Sequence, residues 1–149
     1  MVKKLLLGAL FGFTALAFST QAFAQADVIE KRQKAMKSNS AAVKAIKAAV
    51  EAKDYATIEA KAKDIMGTAE KIPSLFPKGS TTGKTKAKAE IWEKNEDFVK
   101  HAKSLSKSAA ELAAAAKAGN DAEVGVKLKA VGDTCTACHK QFRAEKYAE

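Results

Sequence analysis

The stretch Glu90–Gly119, EIWEKNEDFVKHAKSLSKSAAELAAAAKAG, decides the fold. Ile91, Asn95, Phe98, Ala102, Leu105, Ala109, Leu112 and Ala116 recur every three or four positions. That is the period of a helix with one buried face. Nothing interrupts it before Gly119, which reads as the helix stop. On the C-terminal side, Asn120 and Glu123 form a capping-box-like start, and Val124, Leu128, Val131, Cys135, Cys138 and Phe142 continue a second stripe. On the N-terminal side, Asp54 is an N-cap for a helix bearing Ile58, Ala62, Ile65, Ala69 and Ile72, stopped by Pro73 and Pro77. Before it, a helix from about Asp27 to Ala52 carries Ile29, Met36, Val43 and Val50 at intervals of seven, with Ile46 between them. The one long connection is Ser74 to Lys88. Four long amphipathic helices with two short turns predict an all-α, antiparallel up-down-up-down four-helix bundle.

Composition agrees. Alanine supplies 32 of 149 residues, aromatics only 7%, and both prolines fall in one segment. Helix formers dominate, which excludes a β-sandwich, a collagen-like repeat and a disulfide-rich miniprotein. The clear period argues against disorder. So many alanines let helices approach closely and leave a core poor in bulk, a gap that something large could fill.

Met1 to Ala24 has a basic start at Lys3 and Lys4, an apolar run from Leu5 to Phe18, and Ala22-Phe23-Ala24 as a small-x-small cleavage box. This predicts a secretory signal peptide over 1–24, cleaved after Ala24. Removing those 24 residues and two lysines from a chain of 149 with a charge of +9 leaves 125 residues and +7. Residues 25–149 then form a single domain with no membrane span, exported to the periplasm. For such a protein, nucleic acid is not the expected partner of the positive charge.

Cys135-Thr136-Ala137-Cys138-His139 carries the chemistry. Cysteines at i and i+3, with a histidine at i+4 from the first, share one helix face. Two thiols so placed can add to the two vinyl groups of a haem, and the adjacent imidazole can reach the iron. A disulfide at this spacing in mid-helix is geometrically awkward. A thioredoxin-like pair would want a βαβ setting, and a structural zinc site a fourth ligand. The expected cofactor is one covalent haem c per chain, its iron ligated by His139.

For the sixth iron position, helix arithmetic puts Met36 about 15 Å into the first helix, level with His139 near the end of the fourth. Met66, near the end of the second helix, reaches the same height, so height alone leaves both open. Arg32, one turn before Met36, could pair with a haem propionate, and Gln33 could add a hydrogen bond. The bland alternative is a solvated arginine. Trp92 and Phe98 could pack on the macrocycle. His101 falls on a polar face and is expected to be solvated, leaving no second histidine near the iron.

The string Cys135-x-x-Cys138-His139-x-x-Phe142-Arg143, with Arg32-Gln33-x-x-Met36 and the segment from Phe76-Pro77-x-Gly79 through Ala89-x-Ile91-Trp92 to Phe98, resembles the class II c-type cytochromes. These are cytochrome c′ and its low-spin relatives of the cytochrome c-556 type. The resemblance spans the mature chain and implies the bundle just read. It also implies that Met36, four positions after the arginine, is the distal residue, and that a homodimer forms through the first two helices. In cytochrome c′ the distal position is commonly an apolar non-ligand, and methionine departs from that toward the low-spin members.

The expected function is therefore periplasmic electron transport through a His/Met-ligated haem. Other redox proteins would be the partners, engaging through acidic docking faces. The alternative is a cytochrome c′-type, five-coordinate haem protein that binds NO or CO. A third, weaker possibility is a metal chaperone using the cysteine pair. No catalytic constellation is present in the sequence, so no enzyme is expected.

Overall fold

The structure is a computed structural model that describes the backbone of residues 15–146 and the side chains of residues 25–146. The expected leader, residues 1–24, lies outside the described side chains, and residues 1–14 lie outside the description altogether. The chain forms α1 (Ala15–Glu51), α2 (Tyr55–Lys71), a 3₁₀ turn (Ile72–Leu75), a one-turn α3 (Glu90–Glu93), α4 (Asn95–Lys117) and α5 (Asp121–Phe142). It is an antiparallel four-helix bundle of α1, α2, α4 and α5. Among the described residues the β structure is one isolated bridge, Ala87 to Arg143.

The caps sit where the sequence put them. The Asp54 carboxylate accepts from the Thr57 amide at 3.0 Å, and Asn120 Oδ1 accepts from the Glu123 amide at 3.2 Å. Each satisfies an amide that the first helical turn would otherwise leave unpaired. Pro73 lies in the first positions of the 3₁₀ turn, where its missing N–H costs nothing. Gly119 takes φ 64°, the left-handed stop that a side chain would disfavour.

The stripe of α4 is buried at Phe98, Ala102, Leu105, Ala109, Leu112 and Ala116. Asn95 is an exception: it is exposed, because the chain breaks at Lys94 (φ −113°, ψ 46°) and restarts. The first helix also differs from expectation. Its deepest residues are Ile29, Arg32, Asn39, Ala42, Ile46 and Ala49. Met36, Val43 and Val50, the row at intervals of seven, are only half-buried. That row faces a different environment from the core.

The packing explains which. α1 packs on α2, α2 on α4, and α4 on α5, while α1 and α5 do not pack closely against each other. The bundle is a ring of four helices with one seam held open. Ile46, Ile58, Ile65, Leu112, Val124 and Val131 fill the closed part. Burying each side chain contributes about 1.5–3 kcal/mol. Alanines 62, 69, 109 and 116, all fully buried, let α2 and α4 approach.

The long loop closes the seam at one end. Gln25, Arg32 and Gln33 of α1 bond to Gly79, Ser80, Thr82, Lys84 and Thr85. On its other side the Lys88 amide donates to Phe142 O at 3.0 Å, and the Ala144 amide to Lys86 O at 2.8 Å. Gly83 lets the loop lie this close: its φ is 105°, and a Cβ there would meet Ile29 Cδ1 at 3.1 Å.

Candidate haem site

The open seam is a cavity of about 590 Å³ between α1 and α5. Its α5 wall carries Cys135, Cys138 and His139 together. Its α1 wall carries Arg32, Gln33, Met36, Asn39 and Val43. Ile65, Ile91, Phe98 and Leu105 form an apolar back wall. All six residues singled out by sequence therefore border one space. Met36 and Val43 of the half-buried row face this cavity, while Val50 packs against the core.

Helix α5 positions its donors to within one turn. Thr134 and Thr136 donate their hydroxyls back to Val131 O and Gly132 O. The helix closes with the Arg143 amide on His139 O at 3.0 Å. The loop strap at Phe142 and Ala144 then fixes that end against the rest of the bundle. Edge-on ring contacts from Phe76 to Phe98 (4.9 Å) and from Phe98 to Phe142 (5.3 Å) stiffen the same region.

Neither cysteine is in a disulfide, and both are half-buried against the core. Burial pushes the Cys135 thiol up. Burial, with Cys135 beside it, pushes Cys138 up to about 11. His139 stands at the rim with part of its surface exposed. Loss of hydration on its inner side, helped by the Arg143 charge, lowers its pKa. The imidazole is thus neutral at neutral pH, the form whose lone pair binds a metal. Among the described residues no three His, Cys, Asp or Glu side chains cluster as a metal site.

Met36 and Met66 separate clearly. Met36 lines the cavity, whereas Met66 is half-buried against the core and outside the cavity lining. Arg32 is 3% exposed. Its guanidinium donates to Ser80 O at 3.0 and 3.1 Å, to Ser80 Oγ at 3.0 Å and to Thr85 Oγ1 at 2.7 Å, and lies over the Phe76 ring at 4.9 Å. Burial lowers its pKa. Gln33 Nε2 donates to Lys84 O at 2.8 Å. Both side chains hold the loop while bordering the cavity.

Trp92 donates Nε1 to Phe76 O and Pro77 O and lies outside the cavity lining, while Phe98 forms part of the wall. His101 corrects the expectation of a solvated histidine. It is half-buried, lines the cavity, contacts Gln141 Oε1 at 3.2 Å and meets the Phe142 ring edge-on at 5.7 Å. A second histidine therefore borders the cavity after all. The signal was present: His101 stands three after Phe98 and four before Leu105, at the margin of the buried face.

A cavity of this size falls within the roughly 300–1,000 Å³ of cofactor pockets. Two thiols and a neutral imidazole on one wall, facing apolar walls, fit a covalently attached haem. A four-helix bundle with such a site is a class II c-type cytochrome. The family model described as Cytochrome C′ matches residues 27–143, and the chain belongs to that family. It is 37% identical to cytochrome c′ of Pararhodospirillum photometricum, over 77% of this chain and 94% of that one. It is 33% identical to cytochrome c-556 of Agrobacterium tumefaciens (strain B2A), over 79% and 98%. Its fold matches the crystal structure of cytochrome c′ from Thermochromatium tepidum with a TM-score of 0.75, at 31% identity over 81% of this chain and 97% of that one. The cofactor is covalently bound haem c with its iron.

Proposed function

We propose that this chain is an exported, periplasmic haem protein of the c′ type. Cys135 and Cys138 anchor the haem, His139 ligates the iron, and the α1 side of the cavity admits NO or CO. Bound haem supplies an iron that changes valence and takes a diatomic ligand. The protein's residues do the rest. The two cysteines fix the haem to α5, the neutral His139 approaches from that helix, and the apolar back wall keeps water out. The observation that carries this proposal is the open seam: α1 and α5 stand apart around about 590 Å³ of largely apolar space. The family match supports it.

A second reading is favoured by one specific side chain. Met36 borders the same cavity as His139, where its thioether is available as a sixth ligand. A His/Met haem would make the protein an electron carrier of the c-556 kind, since that ligand pair raises the potential. The two readings divide on the ferrous protein's visible spectrum and its reaction with CO. A five-coordinate, high-spin haem that binds CO promptly supports the first. A low-spin haem indifferent to CO supports the second. Under either, residues 1–24 act as a cleaved leader and 25–149 as the working domain. No helix of the described residues is long and apolar enough to cross a membrane.

A further inference from the structure

Asn39 is 8% exposed and lies on the inner stripe of α1, one turn beyond Met36. Three polar residues among those lining the cavity are buried: Arg32, Asn39 and Thr85. Arg32 and Thr85 bond to each other. The Asn39 carboxamide makes no hydrogen bond among the described residues. Every fully enclosed side-chain nitrogen or oxygen among them has a partner, so the amide of Asn39 still borders open space. That space is the cavity.

Once a haem fills the cavity and excludes water, such a group needs a partner, because buried polar atoms are almost always hydrogen-bonded. The back wall of the same cavity, with Ile65, Phe98, Ala102 and Leu105, offers no polar atom to it. The position of Asn39 is informative: about 4.5 Å along α1 from Met36, across the cavity from the helix that bears His139. Asn39 therefore lines the α1 side of the cavity, and His139 its α5 side.

We infer that Asn39 is a specificity-determining residue, its side-chain amide donating a hydrogen bond to the diatomic ligand in the α1 half of the cavity. This rests on the gas-binding reading above and adds to it a polar contact from the α1 wall. A donor at that point stabilises the negative charge that a reduced iron pushes onto the outer atom of the ligand. It therefore slows ligand loss and weakens the bond within the ligand.

The test uses the haem-loaded protein, reduced and exposed to CO, with infrared spectroscopy and CO displacement as readouts. Asn39→Leu keeps the volume and deletes the donor; Asn39→Gln keeps the amide. The expected result is a C–O stretch moved to higher frequency in Asn39→Leu, with CO leaving about tenfold faster, the worth of one hydrogen bond. Asn39→Gln should stay nearer wild type in both. If Asn39→Leu does not fold, Asn39→Ala and Asn39→Val, which also lack the donor, are read the same way. A wild type that binds CO, with variants matching it in frequency and rate, overturns the role of Asn39 and leaves the gas reading standing. A wild type that fails to bind CO at all overturns both.

Discussion

Arg32 should be worth several kcal/mol to the fold through the loop it holds. Four contacts of 2.7–3.1 Å join its guanidinium to Ser80 and Thr85, and its face covers Phe76. Hydrogen bonds to a charged group contribute about 1.5–3 kcal/mol each, but these share two residues and one desolvated cation, so they do not add. Some of the loop survives their loss. Thr85 Oγ1 still accepts from the Ala87 amide, Ser80 Oγ still donates to Pro77 O, and Gln25 and Gln33 still reach the loop. The expected cost of Arg32→Ala is about 2–4 kcal/mol, and of Arg32→Lys, which keeps the charge but loses the fork, about half that. Urea titration of the haem-loaded protein, followed by far-UV circular dichroism and haem absorbance, gives both values. A loss below about 0.5 kcal/mol for Arg32→Ala would refute the claim that this side chain ties the loop to α1. If the haem's potential then moved while stability did not, pairing with a propionate would be its main task.

Folding should depend on the cofactor. Without a haem the open cavity of about 590 Å³ leaves its apolar walls in water, forgoing about 25 cal/mol for each Å² a cofactor would cover. The double variant Cys135→Ala, Cys138→Ala should therefore lose haem and cooperative melting together, and an undiminished melt would count against it. Acid should loosen the end of the bundle far from the site. Lys53 and Tyr55 lower the Asp121 pKa, and the Thr57 hydroxyl lowers that of Asp54. A depressed carboxylate stabilises the fold above its unfolded pKa near 3.9 and loses that contribution as pH falls through the lower folded value. The urea midpoint should therefore drop below about pH 4, and Asp121→Asn should flatten that drop. At the cavity mouth Lys37, Lys44, Lys47 and Arg143 stand with no carboxylate in the lining. Electron exchange with an acidic redox protein should slow as salt rises from roughly 10 to 150 mM, where the Debye length shrinks from about 30 to 8 Å. A salt-independent rate would leave these charges as solubility groups.

Much of this was legible in the sequence, and the exceptions have physical causes. The α4 stripe, the caps at Asp54 and Asn120 and the Cys135–His139 string follow from local chemistry, which residues near in sequence decide. The α1 stripe misled because periodicity shows that a face is apolar, not what it faces. Met36 and Val43 look like core and border a cavity, while the true inner stripe holds Arg32 and Asn39. Arginine and asparagine at seven-residue spacing carry no apolar signal, so their burial became visible only with the loop and the seam in place. His101 was misplaced because it sits at the margin of a face. The break at Lys94 depends on how α3 meets the loop, a contact no local pattern encodes. Equal height left Met36 and Met66 both open to helix arithmetic; the resemblance favours Met36, and of the two it is Met36 that borders the cavity.

The most direct test of the central claim is the visible spectrum of the purified, reduced protein with and without CO, recorded for wild type and Met36→Leu. A protein of the c′ type gives a high-spin, five-coordinate haem in wild type that takes up CO readily, with Met36→Leu little different. A low-spin wild-type spectrum with a sulfur-to-iron charge-transfer band, slow or absent CO uptake, and conversion to high spin in Met36→Leu would contradict it and make the protein a His/Met electron carrier.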